Sequence, residues 1–249
     1  VSIQGPSIPL QSLTLLFLVI FFAGLALTLP LYSYSFKKLK QSLLFTKILF
    51  WAPIFAVFVG FLHFTPRGRA VVLGAIVAMA LRDVIKNKQA QKHKKLAYMY
   101  LLCFAFVLAH TYLIGTSTSY NTIAALITVC FGSVLADVTA FFMGNYMGKH
   151  KLPAALNNKK SYEGVAGQLI GAGIGTLLVH LFVTKQIPLH IFVPIGIGSA
   201  AGDLANSYVK RRIGIAEWSQ SIPGHGGYLD RFASLAGSFM FAYYWLQIF

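Results

Sequence analysis

The sequence predicts an all-α fold, a polytopic transmembrane helical bundle of about eight spans with the N and C termini outside. Three observations lead there. Hydrophobic residues fill 57% of the 249 positions and charged ones only 11%, against the ~25% charged of an average soluble domain. The apolar residues gather into runs close to the ~20 residues that a helix needs to cross a ~30 Å hydrocarbon core. Between those runs fall most of the 21 Lys and Arg, against six Asp and Glu, which leaves a formal charge of +15 and a mean hydropathy of +0.68.

The runs extend from Leu10 to Leu29, Ile48 to Phe64, Ala70 to Val84, Leu96 to Ile114, Thr122 to Phe142, Gly164 to Val183, Leu189 to Ser207 and Leu229 to Phe249. The first has no basic stretch before it and so reads as a span rather than a cleavable leader. The third is short, with only Ala70 to Leu81 free of charge, and reads as tilted, re-entrant or continuous with the polar stretch after it. The first three contain few glycines and read as lipid-facing scaffold, part of an N-terminal scaffold over residues 1–121. The C-terminal half, 122–249, is denser in glycine: Gly164, Gly167, Gly171, Gly173 and Gly175, then Gly196, Gly198 and Gly202. Small residues at spacings of three and four permit close helix packing, and close approach to a ligand is the equal alternative.

Basic residues orient the chain. If residues 32–47, with Lys37, Lys38, Lys40 and Lys47, are cytoplasmic, alternation also places 82–95, 143–163 and 208–228 inside, and with Arg231 counted at the inner boundary 18 of the 21 basic residues then lie there. That satisfies the positive-inside rule. Because the cations interrupt apolar runs instead of lining a folded polar face, the anionic partner reads as lipid headgroup or phosphorylated substrate, not nucleic acid. Cys103 and Cys130 both lie in apolar segments and read as packing residues, not as a disulfide.

The six acids are Asp83, Asp137, Glu163, Asp203, Glu217 and Asp230. Asp137 and Asp203 fall within or at the inner end of spans, where an uncompensated carboxylate is costly. Asp203 and Asp230 flank the last inner loop at one depth. Two carboxylates there repel unless a hard divalent cation takes their oxygens, or unless Lys210, Arg211 or Arg231 pairs with them. That loop runs from Ser207 through Lys210-Arg211-Arg212 to Pro223-Gly224-His225-Gly226-Gly227-Tyr228-Leu229-Asp230-Arg231. It combines cations for phosphate oxygens, a glycine turn that exposes backbone N–H groups, and flanking carboxylates. A helix starting near Asp230 would direct its positive end at the same place.

Ser207, Lys210, Arg211, Pro223, His225, Gly226, Gly227, Asp230 and Arg231 stand in register with a signature Ser-x-x-Lys-Arg, Lys-Asp, Pro-x-His-Gly-Gly-x-x-Asp-Arg-x-Asp. In this the chain resembles the integral-membrane phosphatidate cytidylyltransferases, or CDP-diacylglycerol synthases. Upstream, Gly148-Lys149-His150-Lys151-Leu152 and Lys159-Lys160-Ser161-Tyr162-Glu163-Gly164 look like two further elements of that family, so the resemblance covers roughly Asp137 to the C-terminus. The chain departs from the signature at Ala216-Glu217, which stand where the family has Lys-Asp, at Tyr228, an aliphatic position, and at Ala233, where the family has its last Asp.

The resemblance implies transfer of CMP from CTP to phosphatidate, giving CDP-diacylglycerol and pyrophosphate. It implies Mg²⁺ on Asp203 and Asp230, with Asp137 or Glu217 available to a second cation. The catalytic set is then Asp203, Asp230, Lys210, Arg211 and His225. Ser207, Gly226, Gly227, Arg231, Lys159 and Lys160 bind substrate, the two lysines having attraction to anionic lipid as an equal alternative. The implied setting is a bacterial inner membrane with the active site facing the cytoplasm, and a homodimer is left open. Competing readings are a cytidylyltransferase for another lipid phosphate, a non-catalytic relative motivated by Ala216 and Ala233, and an ion-coupled transporter. Against the last, the halves show no internal repeat.

Overall fold

The computed structural model describes residues 10–222 and 226–249, with Leu43 described by its backbone alone. Within these residues ten α-helices follow one another: α1 (Leu10–Thr28), α2 (Phe36–Lys40), α3 (Leu43–His63), α4 (Pro66–Lys86), α5 (Lys88–Lys92), α6 (Lys94–Thr116), α7 (Thr122–Tyr146), α8 (Tyr162–Phe182), α9 (Phe192–Ile213) and α10 (Tyr228–Ile248). Among the described residues there is no strand, only two isolated β-bridges. Each apolar run corresponds to one long helix. The third is no short or re-entrant piece: α4 is a 21-residue helix that continues past its apolar centre into Arg67, Arg69, Arg82, Asp83 and Lys86.

Local chemistry sets the helix starts. Ser42, Thr65, Asn121 and Ser161 each accept a backbone N–H three residues on, at 3.2, 3.2, 2.9 and 3.1 Å, which satisfies one of the orphan donors of a first turn. Pro66 follows Thr65 at the first helical position, where a missing N–H costs nothing. At the end of α9, Gly214 takes φ 81°, and the Ile215 amide reaches back to the Lys210 carbonyl at 2.9 Å.

Among the described residues five helical stretches are long and apolar enough to cross a membrane: Leu10–Tyr32, Leu44–His63, Lys94–Thr116, Thr122–Tyr146 and Tyr162–Phe182. Helices α4, α9 and α10 have the length but carry too many polar groups to qualify by composition, and those groups are what α9 and α10 present to the candidate site. Contacts between helix ends fix their relative directions. The Tyr146 hydroxyl donates to the Leu27 carbonyl, Asn87 to the Trp218 carbonyl, and Lys160 pairs with Asp203, so the loops after α1, α4, α7 and α9 share one end of the bundle. At the other end the Trp245 indole donates to His190 at 2.8 Å.

The glycine-rich stretches pack helix against helix. A Cβ at Gly171 would stand 2.2 Å from the Leu135 carbonyl oxygen, and one at Gly175 2.7 Å from that of Phe131, so α8 lies directly on the backbone of α7. Helices α9 and α10 meet in the same way. Apolar residues fill two cores. One lies among α1, α7, α8 and the first half of α9; the other joins α4, α5 and α6 to the far half of α9 and the start of α10. Both cysteines are free, Cys103 exposed on α6 and Cys130 half-buried.

Arg69 pins the end opposite the candidate site. Its side chain is 6% exposed and donates to the carbonyls of Phe61 (3.3 Å), Leu62 (2.8 Å) and Gly115 (3.0 Å), the closing turns of α3 and α6. A guanidinium there satisfies orphan acceptors and complements two negative helix ends. Arg69→Met is expected to lower stability by about 3 kcal/mol, since hydrogen bonds to a charged group are worth ~1.5–3 kcal/mol each and the bared carbonyls stay buried. A fall in the detergent-solubilised melting temperature checks it.

Candidate active site

At the end where the basic loops meet, the C-terminal parts of α7 and α9 face the first turns of α8 and α10. Asp137 on α7 accepts from Ser234 Oγ of α10 at 2.7 Å and from Ser199 Oγ of α9 at 3.3 Å, and Gln168 of α8 donates to Ser199 at 3.4 Å. Four helices thus share one polar cluster in an otherwise apolar interior. Asp203, Arg231 and Lys160 all lie within electrostatic range of Asp137.

Asp203 forms an ion pair with Lys160, and its side chain is 34% exposed, so its oxygens are open to a ligand. Lys160 is carried there by the loop after α7, which folds back on itself. The Leu152 amide donates to the Lys160 carbonyl, Tyr162 to the His150 carbonyl, and His150 Nδ1 meets Glu163 Oε1 at 2.6 Å. Lys159 instead points to the surface, so the two adjacent lysines divide between site and solvent.

Asp230 is enclosed, its side chain only 5% exposed. Lys210 Nζ stands 2.5 Å from Oδ1, while Oδ2 accepts from the Trp218 amide (2.9 Å) and the Gly227 amide (3.0 Å). As the third residue of α10, it returns to the amide that precedes the helix, as acids at that position commonly do. Gly226 takes φ 78° and its carbonyl accepts from the Ile222 amide at 2.9 Å, closing the turn. The backbone N–H of Gly227, expected to face phosphate, is given to Asp230. His225, with Pro223 and Gly224, lies outside the described residues.

Other expected residues sit as follows. Ser207 is buried on α9. Arg211 Nη1 donates to the Ile215 carbonyl at 3.2 Å and closes the end of α9. Arg231 lies within electrostatic range of both Asp137 and Lys47. Glu217 is exposed and bonded to Gln220, apart from the Asp137 cluster. Ala233 is buried where α9 comes closest to α10 at Gly202.

Several functional neighbours were not among the expected residues. Trp218 is buried, stacks on Tyr100 of α6 with centroids 5.7 Å apart, and donates its indole N–H to Asn206 at 2.8 Å. A large aromatic in a polar loop was the available signal. Ser199, Ser234 and Gln168 carried none, since such residues are common in membrane helices. Asp83 was visible as one of six acids, yet its place at the end of a scaffold span gave no sign of its contacts with Ser221 and the Tyr228 amide.

The resulting arrangement is two carboxylates, Asp203 and Asp230, each neutralised by its own lysine, with a third, Asp137, held by hydroxyls near Asp203. Hard oxygen donors that already attract cations suit Mg²⁺, which is typically held by one or two carboxylates and completes its shell with phosphate oxygens and water. Among the described residues no three His, Cys, Asp or Glu come together in one cluster. A model of the cytidylyltransferase family matches residues 5–249.

The chain belongs to that family. Its relatives include the phosphatidate cytidylyltransferase of Staphylococcus saprophyticus, 40% identical over 111 residues, which are 43% of this chain and 41% of that protein. That of Brucella abortus is 28% identical over 223 residues, 88% of this chain and 80% of the relative. That of Mycobacterium tuberculosis is 35% identical over 101 residues, 39% of this chain and 31% of the relative.

Proposed function

We propose that this chain transfers CMP from CTP to phosphatidate, giving CDP-diacylglycerol and pyrophosphate, at the cytoplasmic face of a bacterial inner membrane. The single observation that carries this is the pairing of two carboxylates, Asp203 and Asp230, with two lysines, Lys160 and Lys210, in a family of CTP-using enzymes. An oxygen of the lipid phosphate attacks the α-phosphorus of CTP, the bond from that phosphorus to the bridging oxygen breaks, and pyrophosphate leaves with the electron pair. No covalent enzyme intermediate is needed, because a phosphate monoester is itself a competent nucleophile.

Attacking and leaving groups are both anionic, so the main task is to screen their repulsion and orient them. Mg²⁺, held by Asp203 and by Oδ1 of Asp230 with Asp137 beside them, would supply Lewis-acid stabilisation of the charge on the departing pyrophosphate. Lys160 and Lys210, freed from their carboxylates, turn to phosphate oxygens, and Arg231 offers a guanidinium fork from the first turn of α10. The glycine turn lets backbone come close to the nucleotide. Acyl chains remain in hydrocarbon among the apolar helices, with the headgroup at the interface. Eight crossings with both termini outside, the arrangement that the positive-inside rule favours for these basic loops, would put the site on the cytoplasmic side.

The relatives are cytidylyltransferases, which gives the transporter reading no support. Purified protein, labelled CTP, Mg²⁺ and a panel of lipid phosphates test the proposal. CMP is expected on phosphatidate, with none formed when EDTA replaces Mg²⁺. Absence of transfer to every lipid phosphate tried would exclude an active enzyme.

A further inference from the structure

We propose that Asp83, on the scaffold helix α4, is a positioning residue of the active site: its carboxylate holds the Gly226-Gly227 turn and the start of α10 where CTP phosphates meet them. This rests on the cytidylyltransferase reading. Asp83 is 2% exposed, one turn from the end of α4. A carboxylate so placed is doubly disfavoured, by loss of water and by the negative end of its own helix. What it touches offsets this. Oδ1 accepts the Ser221 hydroxyl at 2.5 Å, and Oδ2 accepts the Tyr228 amide, the first of α10, at 2.9 Å.

Those two contacts grip the turn from both sides, one residue before Ile222 and one after Gly227. A Cβ at Gly227 would stand 2.8 Å from Asp83 Oδ2 and 2.8 Å from Ser219 Oγ, so the second glycine of the pair is required by Asp83 as well as by any nucleotide. Asn87, one turn further along α4, donates to the Trp218 carbonyl at 2.9 Å, and the Trp218 amide in turn donates to Asp230. The scaffold helix is therefore linked to Asp230 through the loop, and the turn's position relative to α9 is set from outside the C-terminal half.

Steady-state kinetics of Asp83→Leu and Asp83→Asn, with melting temperatures, test this. Leu keeps the branched outline of the side chain, with bulkier methyls in place of the oxygens, and loses both hydrogen bonds. It is expected to raise KM for CTP about tenfold or more while KM for phosphatidate stays within about twofold. Asn can accept from the Tyr228 amide and donate to a rotated Ser221 hydroxyl, and is expected to return KM for CTP to within about threefold of wild type. A role confined to folding would lower the active fraction, and so kcat, with both KM values unchanged; that result overturns the proposal, as does Asn behaving like Leu. Should Asp83→Leu not fold, Ser221→Ala removes one of the two contacts of Asp83, along with the bond from the Ser219 hydroxyl, at an exposed residue and is expected to raise KM for CTP about threefold at unchanged melting temperature. An unchanged KM in Ser221→Ala counts against the proposal. Inactive wild-type protein would remove the cytidylyltransferase reading and this inference together, whereas active wild type with an indifferent Asp83→Leu removes only the inference.

Discussion

Asp230→Asn is expected to reduce CMP transfer by at least about 10²–10³-fold, the scale on which loss of one preorganised electrostatic contact acts. The same substitution is expected to destabilise the protein by about 3 kcal/mol, because removing one member of a buried ion pair leaves the other charge uncompensated. Lys210 would be that charge, its side chain only 13% exposed. An Asn has one acceptor oxygen, while Asp230 now meets donors on both of its oxygens: Lys210 on one, the Trp218 and Gly227 amides on the other. Its amide nitrogen must therefore face a donor. Labelled-CTP transfer and thermal unfolding in detergent separate the two effects, since activity normalised to folded protein isolates the chemical one. Equal normalised transfer by Asp230→Asn would take Asp230 out of the metal site.

Gly202→Val should have a comparably large effect through packing alone. A Cβ at Gly202 would lie 2.1 Å from the Ala233 carbonyl oxygen. Four residues earlier, one at Gly198 would lie 2.4 Å from the carbonyl oxygen of Gly237, and one at Gly237 2.2 Å from that of Gly198. The contact between α9 and α10 is thus backbone on backbone along two turns, and no flexible side chain can yield. Overpacking ordinarily costs ~1–3 kcal/mol, and the rigid neighbours place Gly202→Val at or above the top of that range. Because Asp203 is the next residue, any separation of α9 from α10 also displaces the more open carboxylate of the site. Loss of the folded fraction in size-exclusion chromatography, together with lost transfer, is the expected result. Gly74→Ala is the control: a Cβ there meets nothing within 4 Å, so it should stabilise α4 by about 0.5–1 kcal/mol.

The helices were legible because a membrane imposes one length and one composition on whatever crosses it. The run from Thr122 begins where α7 begins. Where polarity was functional the same rule lost its grip. Helix α4 extends well beyond its charge-free centre, and α2 and α5, five residues each, stand within basic loops that carry no apolar period to announce them. The glycine stripes left packing and ligand approach as equal readings. Contacts of Gly171 and Gly175 with α7, and of Gly198 and Gly202 with α10, show close packing.

For the site, scarcity was the informative signal. With only six acids in 249 residues, Asp137 and Asp203 stood out by position, and both lie in the polar end of the bundle. The lysines that accompany them were harder to separate. Lys159 and Lys160 are adjacent and identical in type, and only the folding back of the loop after α7 sends Lys160 to Asp203 and leaves Lys159 at the surface. Glu217 kept its carboxylate but is turned to Gln220, away from Asp137.

Composition, apolar spacing and a long signature were enough to establish a helical membrane protein of the cytidylyltransferase family, because hydrocarbon thickness and phosphate chemistry each constrain residue types at fixed spacings. Which acid does what depended on folding. Asp83 lies 147 positions before Asp230, and no local pattern connects them. Their link through Tyr228, Trp218 and Asn87 exists because α4 is packed beside the start of α10, a choice made by side-chain burial across the whole bundle.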